Sequence, residues 1–167
     1  ASTFLYDTLT RLCAALGMDG SEYRRLVAGS FLVSCDNAHA VHPNHGEFAD
    51  RNHTARMNGG VVIKYNANQR YTSDAVSAGI FRRICESAGV PVQYYANRAD
   101  MPGGSTLGNI SNTQVSLNAV DIGLAQLAMH SPFETAGAAD TVSLVKALTA
   151  FFEHSLVAER DGVYRFL

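Results

Sequence analysis

The sequence lacks the features that would place it in a membrane. No apolar stretch approaches the roughly 18 to 20 residues needed to cross a bilayer, and the first residues lack the basic start and apolar run of a signal peptide. These absences favour a cytoplasmic protein without a membrane partner. Because the first residue is alanine rather than methionine, we expect the chain to be an internal or processed part of a longer protein.

The sequence also lacks a concentration of positive charge. It has 13 Lys and Arg residues against 15 Asp and Glu, a formal net charge of -2, and no basic run. A nucleic-acid-binding face would normally gather Lys and Arg on one side, so nucleic acid is not an expected partner. With 47% hydrophobic residues in a chain of 167, the composition predicts one globular domain with a core of ordinary size.

Cysteine is scarce. Cys13, Cys35 and Cys85 are an odd number, lie far apart and form no Cys-x-x-Cys motif. Each lies within an apolar stretch, so we interpret them as reduced thiols of the core rather than as zinc ligands or disulfide partners.

Two common catalytic motifs are missing. The glycine-rich segment 102–108 could offer backbone N–H groups to an anion, but it lacks the Gly-x-x-x-x-Gly-Lys-Ser/Thr pattern of a nucleotide site. No Gly-x-Ser-x-Gly elbow is present, which argues against a serine hydrolase.

Apolar residues recur in an alternation of helical and strand patterns. Helices with apolar faces are predicted near residues 5–16, 73–89 and 144–152, the first with its apolar face buried, and a shorter helix near 21–28. Strands are predicted at residues 31–35, 61–64, 92–96 and in the apolar run 119–124. Such alternation is typical of an α/β domain with a largely parallel sheet and helices on both faces.

Asp36 lies where the first predicted strand ends. It is followed by His39 and His42 in a long loop, residues 37–59, that has little periodicity. Ligands of open α/β sheets bind at the carboxyl ends of strands, and a carboxylate with imidazoles suits zinc, manganese or cobalt. The alternative is that Asp36 caps a turn and the histidines bond to loop carbonyls.

Two further candidates follow apolar segments. His130 comes after one and precedes a helical stretch, and only the fold could bring it to Asp36; alternatively, it is a structural histidine. Lys64 ends a predicted strand and could receive a substrate carboxylate, or it could be a solvated lysine. The remaining histidines are interpreted as surface or loop residues: His45, His53 and His154.

Asp36–Asn44, read as Asp-x-Ala-His-Ala-Val-His-Pro-Asn, resembles the signature of peptidase family M18, the aspartyl aminopeptidase family. The resemblance continues through Val62–Tyr71, Asp100–Gly108, Asp121–Gly123 and Met129–Ser131, and it covers most of the chain. It implies a three-layer α/β/α fold of the zinc-peptidase type, with a largely parallel or mixed central sheet.

The resemblance also implies an activity. Enzymes of this family are two-metal, usually zinc, exopeptidases that remove an amino-terminal residue, commonly aspartate or glutamate. Asp36 matches a ligand of one metal and His130 a ligand of the other. Lys64 would pair with an acidic side chain of the substrate, and His39 and Tyr71 would line the pocket. Zinc is the expected metal, with cobalt or manganese as alternatives.

Other parts of the family's site have no match in residues 1–167. The remaining metal ligands, the general-base glutamate and the oligomerisation domain would all precede this segment. We therefore expect the carboxy-terminal part of a catalytic domain that is inactive alone. Its parent is expected to form a homo-oligomer, with a dodecamer as the candidate assembly, and His42 to support the loop or a subunit contact. The alternative is a non-catalytic binding or assembly module derived from a peptidase.

Overall fold

The computed structural model describes residues 2–160 and 162–167, so the alanine at the start of the chain lies outside the described residues. The helices are α1 Phe4–Ala15, α2 Gly20–Ala28, α3 Ala75–Ser87, α4 Leu107–Asn112 and α5 Ala138–Glu153, with a short 3-10 helix at Gly46–Phe48. The strands are β1 Phe31–Cys35, β2 Ala38–His39, β3 Val61–Tyr65, β4 Val92–Ala96, β5 Asn118–Gly123, β6 Ala125–Leu127, β7 Thr135–Ala136, β8 Leu156–Arg160 and β9 Val163–Phe166.

The central sheet has four strands in the order β1-β5-β3-β4. β1 runs parallel to β5 and β3 runs parallel to β4, whereas β3 and β5 are antiparallel. The sheet is therefore mixed, and the predicted α/β class is confirmed. Two smaller sheets accompany it, β2-β6-β7 and the β8-β9 hairpin.

Each face of the central sheet packs on a different layer. On one face, Val61 and Ile63 of β3 join Phe81 of α3 and Ala147 of α5 in the main core cluster. On the other face, Val62 and Tyr95 of β4 pack in a second cluster with residues of the small sheet and nearby loops: Ala38, Ala55, Tyr71 and Ala125. Because β3 has neighbours on both faces and both edges, its side chains from Val61 through Lys64 are almost completely buried.

Two burial expectations were wrong. Cys13 and Cys85 are buried free thiols as expected, but Cys35 is exposed, because it ends a strand that pairs on one edge only within the described residues. Helix α1 forms as expected, yet Leu12 and Leu16 are 54% and 77% exposed. The apolar face of α1 is thus largely uncovered in the described part of the chain.

No helix among residues 2–160 and 162–167 combines the length and the apolar composition required to span a bilayer.

The buried carboxylate of Asp140, in the first turn of α5, holds the turn that precedes β3. Its two oxygens accept hydrogen bonds from Asn58 N at 2.6 Å and Gly60 N at 2.7 Å. Asn58 and Gly60 both have positive φ values, 62° and 100°. The carboxylate therefore satisfies two backbone donors in a turn that most residues could not adopt.

We expect Asp140→Asn to lower the free energy of unfolding by about 1–3 kcal/mol, because the new NH2 group faces a backbone N–H and leaves that buried donor without an acceptor. Urea denaturation followed by circular dichroism measures the change. Asp7→Asn is the matched control, since Asp7 is exposed and accepts a side-chain hydrogen bond from Thr3. Equal stability of the two variants would contradict the assigned role of Asp140.

Candidate metal and substrate site

Asp36 is the first residue beyond β1. Its backbone N donates to Ile122 O at 3.0 Å, which continues the β1-β5 ladder by one residue. The side chain is exposed, and its carboxylate makes no hydrogen bond to any residue within 2–160 or 162–167. Asp36 therefore does not cap a turn here, and its oxygens face outward at the carboxyl end of β1.

Lys64 lies inside β3, one residue before the strand ends, and is only 1% exposed. Its Nζ donates to Asp36 O at 2.8 Å and to Asn37 O at 3.4 Å, and lies 5.0 Å from the centre of the Tyr71 ring. Burial lowers the pKa of Lys64, and the negative charge of Asp36 opposes that shift. The lysine is thus not solvated, and its first contacts are the carbonyls around Asp36.

Gly123 allows this arrangement sterically. It ends β5 directly beneath the Asp36 peptide, and a Cβ atom at Gly123 would lie 1.9 Å from Asp36 O. A side chain at this position is incompatible with the observed path of the backbone around Asp36.

The pocket residues predicted from the sequence lie beside Lys64. His39 is in β2, and partial burial lowers its pKa, as do the charges of His130 and Lys64. Tyr71 is 7% exposed and packs against Tyr95 with ring centres 6.4 Å apart. Burial raises the pKa of Tyr71, so the phenol remains neutral at ordinary pH.

His130 lies in the exposed turn between β6 and β7. Its φ is 68°, and its backbone N donates to Glu134 Oε1 at 2.7 Å. A positive φ is uncommon outside glycine, so the backbone of His130 has an unusual conformation in this turn. Lys64 Nζ bonds to the Asp36 carbonyl, and the charges of Lys64 and His130 both act on His39.

Two of the predicted site residues carry side chains that suit a metal: Asp36 has a carboxylate and His130 an imidazole. Oxygen and nitrogen donors of this kind suit zinc. Within the described parts of the chain, however, no group of three His, Cys, Asp or Glu side chains is placed to hold a metal ion. The residues fit a metal site in donor type but do not complete one.

A cavity of about 370 Å³ is lined by His39, but not by Asp36, Lys64 or His130. Its wall includes His39 and Tyr71 together with Gln126 of β6, and on the other side Phe48, Arg98 and Met101. His42 and His45 also line it, whereas none of its lining residues in the described chain is Asp or Glu. The cavity wall therefore carries imidazoles and neutral groups, and the guanidinium of Arg98 is already paired with Asp100.

The other loop histidines lie at the surface or in loops, as expected. His42 Nδ1 accepts a hydrogen bond from Asn44 N at 3.2 Å, a contact that supports the loop. His45 and His53 pair with the nearby Glu47 and Asp50.

Sequence reasoning missed the buried Asp121 of β5, which connects three segments behind the site. It accepts hydrogen bonds from Thr72 N at 2.6 Å and from the hydroxyls of Thr72 and Thr106. The signal that could have identified Asp121 is its position as a charged residue inside the apolar run 119–124. The glycine-rich segment is held from within the fold at its end, where Gly108 N donates to Ser34 Oγ at 2.8 Å. This backbone N–H is therefore not free to bind an anion.

Comparisons with known proteins agree on one family. The family model described as aminopeptidase I zinc metalloprotease (M18) matches residues 1–152. A probable M18 family aminopeptidase 2 from Pseudomonas aeruginosa is 47% identical over 152 residues, 91% of this chain and 34% of the relative. The corresponding Azotobacter vinelandii protein is 46% identical over 154 residues, 92% of this chain and 35% of the relative.

Solved structures show the same relationship. A chain in the complex of Ape4 and Nbr1 is 38% identical with a TM-score of 0.87, covering 91% of this chain and 29% of that one. The mApe1 dodecamer of S. cerevisiae is 28% identical with a TM-score of 0.70, covering 78% and 28%. The chain spans about a third of the length of the curated relatives it matches, and it belongs to the M18 family of zinc metalloproteases.

Proposed function

We propose that this chain is the carboxy-terminal part of the catalytic domain of a two-metal aminopeptidase that acts in the cytoplasm. The observation that carries the proposal is the outward-facing Asp36 carboxylate, which has no hydrogen-bond partner among the described residues, while the backbone carbonyl of Asp36 is held by the buried Lys64. The family match over residues 1–152 supports the same conclusion. The full-length protein in this proposal is residues 1–167 joined to the further residues that a chain as long as the M18 relatives would have.

Asp36 would bind one metal ion and His130 the other. The ions, zinc or alternatively cobalt or manganese, would activate a water molecule and polarise the scissile carbonyl. The general-base glutamate and the remaining ligands would come from the rest of the full-length protein, so residues 1–167 alone would be inactive. Lys64 contributes by holding the Asp36 carbonyl, which fixes the backbone that carries the carboxylate.

The proposed substrate is a peptide with an amino-terminal aspartate or glutamate. The buried charge of Lys64, which lies 5.0 Å from the ring centre of the cavity residue Tyr71, favours an acidic side chain, and His39 and Tyr71 would contact it. Because Lys64 already donates to two carbonyls, it would attract a substrate carboxylate through its charge or with its remaining donor.

We expect chelation to abolish hydrolysis by the full-length protein and zinc to restore it. We also expect kcat/KM to be at least about 10-fold higher for a peptide that starts with aspartate than for the matched peptide that starts with asparagine, because the site offers positive charge. Peptide hydrolysis measured by chromatography before and after dialysis against a chelator tests both results. Full activity in the metal-free protein would contradict the proposal.

A second candidate is a binding or assembly module that no longer hydrolyses peptides. The incomplete metal set within the described residues favours it. Adding the rest of the full-length protein to residues 1–167 separates the candidates: recovery of metal-dependent hydrolysis supports the enzyme, and peptide binding without hydrolysis supports the module.

We further propose that the full-length protein is a homo-oligomer, with a dodecamer as the candidate assembly, in which His42 supports its loop or a subunit contact. The similar mApe1 is a dodecamer, and helix α1 of this chain has exposed apolar residues. Light scattering of the full-length protein gives its mass directly.

A further inference from the structure

We propose that Gln126 is a substrate-binding residue of the cavity whose Nε2 donates a hydrogen bond to the acidic side chain of the amino-terminal substrate residue. Asn37 is the positioning residue that orients the Gln126 amide. This inference rests on the proposed aminopeptidase function. It adds two residues that the family signature and the sequence patterns did not single out.

Gln126 is the middle residue of β6 and is only 5% exposed, yet it lines the cavity beside His39 and Tyr71. β6 pairs with β2 in parallel, with His39 opposite Gln126. This pairing places the glutamine next to the imidazole proposed to contact substrate.

The orientation of the glutamine amide is determined by a chain of two hydrogen bonds that begins at the backbone. Leu124 N can only donate, and it donates to Asn37 Oδ1 at 3.2 Å. Asn37 Nδ2 must then be the donor to Gln126, and it contacts Oε1 at 2.7 Å. Since a side-chain amide has one oxygen and one NH2 group, Oε1 is occupied and Nε2 is the group left to face the cavity.

Gln126 Nε2 donates no hydrogen bond to residues 2–160 or 162–167, and it is not among the side-chain atoms that are closed off from solvent without a partner, so it is accessible from the cavity. A side-chain donor that faces a cavity wall without carboxylates bonds to water when no ligand is bound and can bond to an acceptor oxygen of a ligand that displaces this water. A carboxylate oxygen of an amino-terminal aspartate or glutamate supplies such an acceptor.

Gln126→Glu in the full-length protein tests the donor with almost no change of shape. The carboxylate still accepts from Asn37 Nδ2 but presents an oxygen in place of the NH2 group. We expect KM for the peptide that starts with aspartate to rise about 10- to 100-fold with metal content unchanged, and KM for the matched asparagine peptide to rise less. An unchanged KM for the aspartate peptide overturns the inference.

Asn37→Asp tests the orientation from a residue outside the cavity wall. Aspartate accepts from Leu124 N and can only accept from Gln126, so the glutamine amide must turn and present Oε1 to the cavity. We expect KM to rise with kcat largely retained, an effect that a purely structural role would not produce. If Gln126→Glu does not fold or loses metal, KM is measured for Asn37→Asp and Gln126→Met instead. A KM equal to that of the wild type in both variants contradicts the inference.

Calorimetric titration of the metal-loaded full-length protein with L-aspartate provides a readout besides activity. Weaker binding to both Gln126→Glu and Asn37→Asp than to the wild type supports the inference, and equal binding overturns it. If the wild-type protein shows no metal-dependent hydrolysis, the proposed function fails, and the titration still tests the role of Gln126.

Discussion

Replacing Asp36 with alanine in the full-length protein is expected to reduce metal-dependent hydrolysis by at least about 100-fold. The carboxylate has no hydrogen-bond partner among the described residues, so its removal would deprive the proposed metal of a ligand without breaking a structural contact. The backbone contacts of the residue, from its N to Ile122 O and from Lys64 Nζ to its O, remain. Measurements of kcat/KM and of bound metal test the expectation together.

The unfolding free energy of Asp36→Ala should stay within about 0.5 kcal/mol of the wild type, as for most exposed side chains. Asp50→Ala is the matched control, because its carboxylate accepts hydrogen bonds only from the neighbouring Asn52 and His53 within the described chain. If Asp36→Ala retained full metal-dependent activity, its assignment as a ligand would be wrong.

Gly123→Ala is expected to lower the free energy of unfolding by about 3 kcal/mol, at the upper end of typical overpacking costs. The new methyl group would lie 1.9 Å from Asp36 O and 2.7 Å from Asp36 C, and these backbone atoms cannot rotate away. The end of β1 must therefore move, and Asp36 moves with it. Urea denaturation measures the loss of stability, and metal affinity of the full-length protein measures the displacement.

Gly79→Ala is the matched control and should change stability in the opposite direction. Gly79 lies within α3, and a Cβ at this position meets nothing within 4 Å. Alanine in the interior of an exposed helix is favoured over glycine by about 0.5–1 kcal/mol. Wild-type stability and metal affinity in Gly123→Ala would show that the contact with Asp36 imposes no constraint.

Strands with continuous apolar runs could be predicted from the sequence. β1 and β4 have the predicted bounds, and β3 differs by one residue. Strand direction could not be predicted, because apolar periodicity is the same in parallel and antiparallel strands, and the β3-β5 pair is antiparallel. The strands β2, β6 and β7 have only two or three residues, which is too short for a periodic signal.

For the site, sequence position identified candidates but not their supports. Asp36 follows a strand and His130 follows an apolar segment, so both could be noticed locally. The burial of Lys64 depends on neighbours from both faces of the sheet, and the Asn37–Gln126 contact joins residues that are 89 positions apart. Such contacts form only when the sheet is assembled, and no local pattern reports them.

The position of β3 between β4 and β5 has a consequence for motion in the site. Backbone amides at the centre of a sheet exchange with solvent mainly through global unfolding, whereas those of exposed turns exchange through local opening. Lys64, in this central strand, donates a hydrogen bond to the Asp36 carbonyl, whereas His130 lies on a surface turn. We therefore expect the backbone amide of Lys64 to exchange only through global unfolding and those of the His130 turn to exchange through local opening.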